Sequence, residues 1–158
     1  MNLKMISRKQ AILEIFKNHP DSFFIVSTGY ISRAVFELFP DNENIFYMQG
    51  SMGIAPAIGL GLASQTDQDI VVISGDGSLL MHLGITHTIR DMNLSNLFNY
   101  VLDNGTHESV GAYPVSHLEE GYPGIDKIFK ITNDGKPPRV GMDFITNKEC
   151  FIKKLKGL

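Results

Sequence analysis

Hydrophobic positions in this chain fall into two patterns: short continuous apolar runs, and longer stretches in which apolar residues recur at helical spacing. The short runs, bounded by turn-forming residues, are typical of buried β-strands. They predict strands at residues 23–27, 45–48, 70–74, 97–102, 127–132 and 139–144. The helical spacing predicts helices at residues 7–17, 31–39, 54–63, 78–91 and 148–155.

Strands that alternate with helices predict an α/β fold, in which a parallel sheet of about six strands has helices on both faces. The length of 158 residues suits one domain, residues 1–158, and no internal repeat divides it. Ligands of such sheets bind where the carboxyl ends of the strands meet. Three of the predicted strands end in glycine-containing turns, and these turns are the candidate ligand site.

Composition narrows the classes of function. Apolar residues make up 43% of the chain and charged residues 20%, as in ordinary globular proteins. The formal net charge of -3 argues against a nucleic-acid partner, because no basic stripe faces a phosphate backbone. An anionic ligand would therefore need local neutralisation, by a metal ion or by backbone N–H groups.

Thiol chemistry and membrane insertion find little support in the sequence. The single cysteine, Cys150, excludes a disulfide framework and leaves too few thiolates for an iron–sulfur cluster or a structural zinc site. No apolar run approaches the roughly 18 residues that span a bilayer. Residues 1–10 are polar and basic without a following apolar core, unlike a signal peptide, so we expect a cytoplasmic protein.

The first glycine-containing turn, after the strand at 70–74, runs through Gly75, Asp76, Gly77 and Ser78. A turn from a strand into a helix presents N–H groups and the positive helix end to an anion. The Asp76 carboxylate would repel a phosphate unless it holds a divalent cation that bridges to the phosphate oxygens. Ser78 can cap the helix or bond a phosphate. Alone, the turn fits an ordinary strand–turn–helix equally well.

The second turn, Asp103-Asn104-Gly105, follows the strand at 97–102. Its separation from Asp76 fits one helix, a loop and the adjacent parallel strand, which would place Asn104 beside Asp76 at the same sheet edge. Side chains of Asp and Asn, a backbone carbonyl and phosphate oxygens form a normal octahedral magnesium shell. Asn-Gly by itself is a common turn, so the pairing of both turns is the more specific signal.

The third turn spans residues 50–53 (GSMG) and precedes a helix rich in small residues. It offers exposed backbone groups and one large flexible apolar side chain, Met52. This methionine is either a core filler, as methionines usually are, or a wedge against a flat or bent organic ligand.

Together, the GDG of residues 75–77 and the DN of residues 103–104 resemble the GDG…NN signature of thiamin diphosphate enzymes. The turn at 50–53 is similar to the one that these enzymes place under the cofactor, and residues 27–29 (STG) to their diphosphate-contacting turn. The stretches GDGSLLMHLG and VLDNGTHES resemble in particular the sulfopyruvate and phosphonopyruvate decarboxylases. The resemblance covers nearly the whole chain and implies the diphosphate- and magnesium-binding half of such an enzyme.

The resemblance implies a site for thiamin diphosphate and Mg²⁺. Magnesium would be bound by the side chains of Asp76 and Asn104 and by the backbone carbonyl of Thr106. The cofactor would be contacted by Thr28, Gly29, Gly50, Ser51, Met52, Gly75, Gly77 and Ser78. Asp103 stands where the family has an asparagine, at a position that is not a metal ligand.

The resemblance also implies the β subunit of a decarboxylase that acts on an anionic 3-substituted pyruvate. In the family, a glutamate on a separate pyrimidine-binding domain starts the proton relay. No second domain of that kind fits in this chain, so an α-type partner subunit is expected to supply the glutamate. His107 and, more weakly, Glu108 are candidate catalytic residues, with a structural loop histidine as the alternative for His107.

Other interpretations stay open at this point. The chain could serve another thiamin diphosphate reaction, such as carboligation or 2-oxo acid oxidation, or be a non-catalytic cofactor-binding or regulatory subunit. A plain nucleotide-binding domain is disfavoured because both common phosphate-loop patterns are missing. His82 and His87 are predicted to be packing or surface residues. Arg33 could meet an anionic substrate tail, although a solvated helix position is the favoured interpretation.

Overall fold

The computed structural model describes residues 5–157, so Leu158 and the first four residues of the predicted polar segment 1–10 lie outside the described residues. The eight strands are β1 Ile6–Ser7, β2 Phe23–Val26, β3 Ile45–Tyr47, β4 Ile70–Gly75, β5 Leu97–Asp103, β6 Thr106–His107, β7 Tyr113–Pro114 and β8 Lys127–Thr132. The six α-helices are α1 Arg8–Asn18, α2 Tyr30–Leu38, α3 Ala55–Ala63, α4 Asp76–Leu80, α5 Ile85–Met92 and α6 Phe144–Leu155, and a 3₁₀ turn spans Glu108–Val110.

Six of the strands form one parallel sheet in the order β1-β8-β5-β4-β2-β3. The predicted α/β fold with a six-stranded parallel sheet is confirmed. The order β5-β4-β2-β3 places four strands side by side. The three glycine-containing turns follow β5, β4 and β3, and the turn at residues 27–29 follows β2. Since parallel strands end at the same sheet edge, the topology brings these turns together.

Alternate residues of the central strands are buried on opposite faces of the sheet, as the period of two requires. Phe24, Val26, Val71 and Ile73 pack with residues of α1 and α2 on one face. Phe23, Ile25, Ile70 and Val72 pack with residues of α3, α5 and α6 on the other face. Helices therefore cover both faces, and apolar contacts hold the strands that carry the turns.

One predicted strand is wrong. Residues 139–143 form no strand, and Phe144 instead begins α6, whose N-cap Asp143 accepts from the N–H groups of Ile145 and Thr146 at 3.0 and 3.1 Å. An N-cap carboxylate that satisfies free helix N–H groups favours a helix start at this point over a strand. The sixth strand of the sheet is β1, whose two residues are too short a run to predict.

The predicted helix at residues 78–91 is also wrong in part, because it is broken into α4 and α5. In the intervening turn, His82 and Ile85 donate their N–H groups to carbonyls three residues earlier, at 3.0 and 3.2 Å. Gly84, a poor helix former, lies at this break. Within residues 5–157, no helix is long and apolar enough to cross a membrane.

Candidate functional site

A cleft opens at the carboxyl ends of β2, β4 and β5. It takes in every predicted site residue except Gly29, Gly50 and Ser51, namely Thr28, Met52, Gly75, Asp76, Gly77, Ser78, Asn104, Thr106, His107 and Glu108. Gly50 and Ser51 are exposed next to Met52, and Gly29 is the N-cap of α2. The turns that the sequence singled out thus meet around one space.

Asp76 links the first two turns. Its buried carboxylate accepts from the N–H of Gly77 through Oδ1 and from the N–H of Gly105 through Oδ2, both at 2.8 Å. Burial raises the pKa of Asp76 to about 6, and the neighbouring Asp103 carboxyl adds to this rise, while the two N–H groups oppose it. The turn with Asn104 therefore lies beside Asp76, as the spacing predicts.

Asp103, the second buried carboxylate of this edge, has its own counter-charge. It forms an ion pair with the ammonium group of Lys130, and it also accepts from the N–H of Gly105 at 2.9 Å. Burial raises the pKa of the Asp103 carboxyl, but the hydrogen bonds from Lys130 and Asp76 outweigh burial and hold it below the usual range. The negative charge of Asp103 is compensated within the chain.

Asp76 differs, since among the described residues no lysine or arginine lies within salt-bridge distance of it. A buried carboxylate without a counter-charge is costly, and a divalent cation with oxygen ligands would relieve that cost. Thr106 Oγ1, on the same cleft, is buried and has no hydrogen-bond partner in residues 5–157. These groups fit a bound cation.

A cation here would depend on mixed oxygen ligands. The described part of the chain contains no cluster of three or more His, Cys, Asp or Glu side chains that could hold a metal ion. The available donors are one carboxylate, Asp76, with amide, hydroxyl and backbone oxygens from the turn after β5. Hard oxygen donors with a single carboxylate match magnesium, which usually keeps several other oxygen ligands from water or phosphate.

Ser78 joins the remaining turns to this edge. Its hydroxyl accepts from the N–H of Gly53 at 3.0 Å and lies 2.9 Å from Ser27 Oγ. Gly53 has a φ of 91°, a left-handed conformation that a side chain would strain. Of the two alternatives for Ser78, helix capping is wrong, because α4 begins two residues earlier and Gly75 is its N-cap.

The imidazole of His107 lies directly against Gly77. A Cβ atom at Gly77 would approach His107 Cε1 and Nδ1 to 2.4 Å, well inside van der Waals contact. The glycine therefore leaves the space that the ring occupies, which puts His107 beside the GDG turn. The carboxylate of Glu108 forms an ion pair with Arg8, and it also accepts a hydrogen bond from Asn104 Nδ2 at 3.1 Å.

Sequence reasoning missed Arg8, which lines the cleft from the start of α1 and is only 2% exposed. A signal was available, because Arg8 shares a helix face with the buried Ala11, Ile12 and Ile15. Tyr30 was also missed, and the guanidinium groups of Arg8 and Arg33 lie 5.7 and 5.5 Å from its ring centre.

Two histidines and one arginine considered in the sequence analysis lie outside the cleft and differ in their exposure. His82 and His87 are exposed, in agreement with the predicted surface role. The favoured solvated position for Arg33 is wrong, since Arg33 is half-buried and its Nη1 atom is buried without a hydrogen-bond partner among residues 5–157.

Comparisons with known proteins identify the family of the chain. A family described as "Thiamine pyrophosphate enzyme, C-terminal TPP binding domain" matches residues 27–136. The chain is 44% identical over 91 residues to a phosphonopyruvate decarboxylase of Streptomyces viridochromogenes, covering 58% of this chain and 23% of the relative. It is 41% identical over 104 residues to the sulfopyruvate decarboxylase subunit beta of Methanocaldococcus jannaschii, covering 66% of this chain and 55% of the relative.

A solved structure supports the fold alone. It is that of a proposed thiamin diphosphate-dependent enzyme from Mycobacterium smegmatis, with a TM-score of 0.54 and 21% identity, over 72% of this chain and 24% of that one. The matched region spans only about half of the curated β subunit and about a quarter of the phosphonopyruvate decarboxylase. The family match nevertheless covers most of the described residues and contains the turns with Thr28, Asp76 and Asn104. This chain belongs to the thiamin pyrophosphate (thiamin diphosphate) enzymes, in the family of their C-terminal cofactor-binding domain.

Proposed function

We propose that this chain, as a single domain, is the diphosphate- and magnesium-binding subunit of a thiamin diphosphate-dependent decarboxylase. Its substrate is an anionic 3-substituted pyruvate, such as sulfopyruvate or phosphonopyruvate, and it corresponds to a β subunit. The observation that carries the proposal is Asp76, a buried carboxylate without a counter-charge where the turns meet. The names of the relatives support the reaction and the substrate class.

In this proposal, Mg²⁺ is bound by the side chains of Asp76 and Asn104 and by the carbonyl of Thr106. Thr28, Gly29 and Ser78, together with the glycines of the GDG turn, would bind the diphosphate next to the metal site. The turn at 50–53 holds the organic part of the cofactor against Met52, which lines the cleft. When bound, thiamin diphosphate supplies the electron sink that decarboxylation of a 2-oxo acid needs.

His107 is the candidate for binding the substrate carboxylate or moving a proton. Its ring lies on the cleft and against Gly77, next to the turn that carries the proposed metal ligand. A half-buried imidazole in such a place can donate from one ring nitrogen and accept at the other. Glu108 is a weaker candidate because Arg8 already neutralises its charge.

The catalytic glutamate comes, in this proposal, from a pyrimidine-binding α-type partner subunit that closes over the cleft. Val110 and Tyr113, in and next to the segment that carries His107, expose 63% and 69% of their surface. Large apolar side chains of this kind, close to an open site, suit burial by a partner. The β-subunit name of one relative supports the same assembly.

The test is native mass spectrometry of the tagged chain, purified from its own host in the presence of magnesium. The expected species is a heteromer with a similarly sized partner that carries the mass of thiamin diphosphate. The same preparation is expected to release carbon dioxide from sulfopyruvate or phosphonopyruvate. A chain that carries neither cofactor nor partner, or a homo-oligomer that is fully active alone, would contradict the proposal.

A further inference from the structure

The side-chain amide of Asn104 is held at each of its polar atoms. Nδ2 donates to Glu108 Oε2 at 3.1 Å and to Asn133 Oδ1 at 2.7 Å. Oδ1 accepts from the backbone N–H of Thr106 at 3.1 Å. Two acceptors therefore face Nδ2 and a donor faces Oδ1, so the surroundings define which end of this amide is the oxygen.

Glu108 is itself fixed by Arg8. The guanidinium of Arg8 donates to Glu108 Oε2, the same oxygen that accepts from Asn104. The side chains of Arg8 and Glu108 are 2% and 14% exposed, and Arg8 Nη1 also donates to the carbonyl of Gly135 at 3.2 Å. A charge-assisted bond with this little exposure holds both groups in one geometry.

From this arrangement we infer that Glu108 and Arg8 are positioning residues, which orient Asn104 so that its oxygen is presented to the cation. The inference rests on the proposed function, in which Asn104 is a magnesium ligand. It assigns Glu108 a role that differs from acid–base catalysis, since its carboxylate acts through Asn104 and does not need to reach the substrate.

The alternative orientation of the Asn104 amide is disfavoured by its contacts with Glu108 and Thr106. A flipped amide would set its oxygen against the carboxylate of Glu108. It would also turn its NH₂ group toward the N–H of Thr106 and toward the proposed cation. Each of these contacts is repulsive, and groups that bond metal ligands typically change the metal affinity about 10–100-fold when they are removed.

Two double variants isolate the hydrogen bond from the charge. Arg8→Met/Glu108→Gln and Arg8→Met/Glu108→Leu both remove the buried ion pair as a whole, so neither leaves one charge unpaired. The glutamine of the first variant keeps an oxygen that can accept from Asn104, and the leucine of the second does not. Glu14→Gln, which removes the exposed Lys127–Glu14 pair far from the cleft, is the control.

The measurement is Mn²⁺ binding, followed by electron paramagnetic resonance, to the full chain with thiamin diphosphate and any subunit that copurifies. We expect the glutamine variant to bind within about threefold of the wild type and the leucine variant about tenfold more weakly. Thermal unfolding in EDTA checks that both variants fold. If the leucine variant does not fold, Glu108→Ala and Glu108→Gln with Arg8 intact give the same comparison.

Equal affinities in the glutamine and leucine variants would overturn the positioning role, whether both matched the wild type or both were weakened. A wild-type chain that binds no Mn²⁺ would instead overturn the proposed function on which the inference rests. The two failures are therefore distinguishable from one titration series.

Discussion

The ends of β4 and β5 each place a buried aspartate at the same sheet edge, but only one of the two carboxylates has a counter-charge. Asp103 is 2% exposed and is paired with Lys130. Asp76 is 3% exposed, touches Asp103, and receives only backbone N–H groups. Their pKa values move in opposite directions for this reason. One charge is neutralised internally, and the other is left for a ligand.

The counter-charge from Lys130 also explains how Asp103 can occupy a position where the family pattern has an asparagine. A second carboxylate beside Asp76 would add repulsion at the edge where an anionic diphosphate is proposed to bind. Lys130, on the neighbouring strand β8, cancels that charge, and Asp103 keeps its hydrogen bond to the N–H of Gly105. The substitution can therefore be accommodated without changing the proposed magnesium ligand.

The largest effect is expected for Asp76→Asn. Removing the only carboxylate of the proposed metal site should weaken Mg²⁺ binding by more than the roughly 100-fold upper range for groups that merely bond metal ligands. Isothermal titration of the full chain with Mg²⁺ and thiamin diphosphate measures this. Asp91→Asn, at an exposed aspartate paired with Arg90, is the control and should bind normally. Unchanged affinity in Asp76→Asn would remove Asp76 from the site.

Lys130→Met should destabilise the fold, because it leaves Asp103 buried and uncompensated next to Asp76. Breaking a buried pair costs about 3–5 kcal/mol; since Lys130 is 23% exposed, we expect about 2–3 kcal/mol here. Urea unfolding in EDTA gives the free energy of unfolding. Asp103→Asn/Lys130→Met should recover most of the loss, and a fully stable Lys130→Met protein would mean that Asp103 needs no counter-charge.

The pH dependence of stability should separate the two carboxylates. The pKa of Asp76 is raised to about 6 in the folded chain, so its contribution to stability is fully present below its unfolded pKa and is lost as the pH rises through about 6. The pKa of Asp103 is lowered, so its contribution is present above the unfolded pKa and is lost in acid. Unfolding free energies in EDTA, measured from pH 2.5 to 8, should therefore fall on the order of 2 kcal/mol less in Asp76→Asn than in the wild type between about pH 4 and 6.

In the same series, Asp103→Asn should flatten the acid end of the curve, and saturating Mg²⁺ should remove the loss of stability that the wild type shows between about pH 4 and 6. Parallel curves for Asp76→Asn and the wild type would show that Asp76 is not the group whose burial sets the slope in that range.

The smallest effect is expected for His117→Ala. His117 Nδ1 lies 3.6 Å from Asp103 Oδ1, but the His117 side chain is 73% exposed. Exposed ion pairs contribute about 0–1 kcal/mol, so Lys130 and not His117 should account for the stability of Asp103. A loss in urea unfolding as large as that of Lys130→Met would contradict this assignment.

The residues at this sheet edge were predictable from sequence, because short segments of the chain determine each strand and the turn that follows it. Apolar runs predicted β4 and β5, and parallel strands joined by one crossover had to place Asp76 and Asn104 side by side. The break between α4 and α5 and the helix start at Asp143 were missed because apolar residues alone do not distinguish a turn or an N-cap from a continuing element.

The charge pairs of the site were not predictable, because each joins residues that are distant in the chain. Arg8 and Glu108 are 100 residues apart, and Lys130 and Asp103 are 27 apart. No periodicity encodes such partners, although Arg8 on the apolar face of α1 indicated a buried cation in need of one. The sequence thus predicted where a ligand would bind, and the structure adds which charges are already satisfied.

The most direct test is a crystal structure of the full chain, with any copurifying partner, grown with thiamin diphosphate and Mn²⁺. An anomalous difference map locates the metal without reference to the protein. We expect one strong peak at bonding distance from the Asp76 carboxylate, Asn104 Oδ1 and the carbonyl of Thr106, next to the diphosphate. A cofactor bound in the cleft with no peak beside Asp76, or with the metal held by other residues, would contradict the proposed metal site.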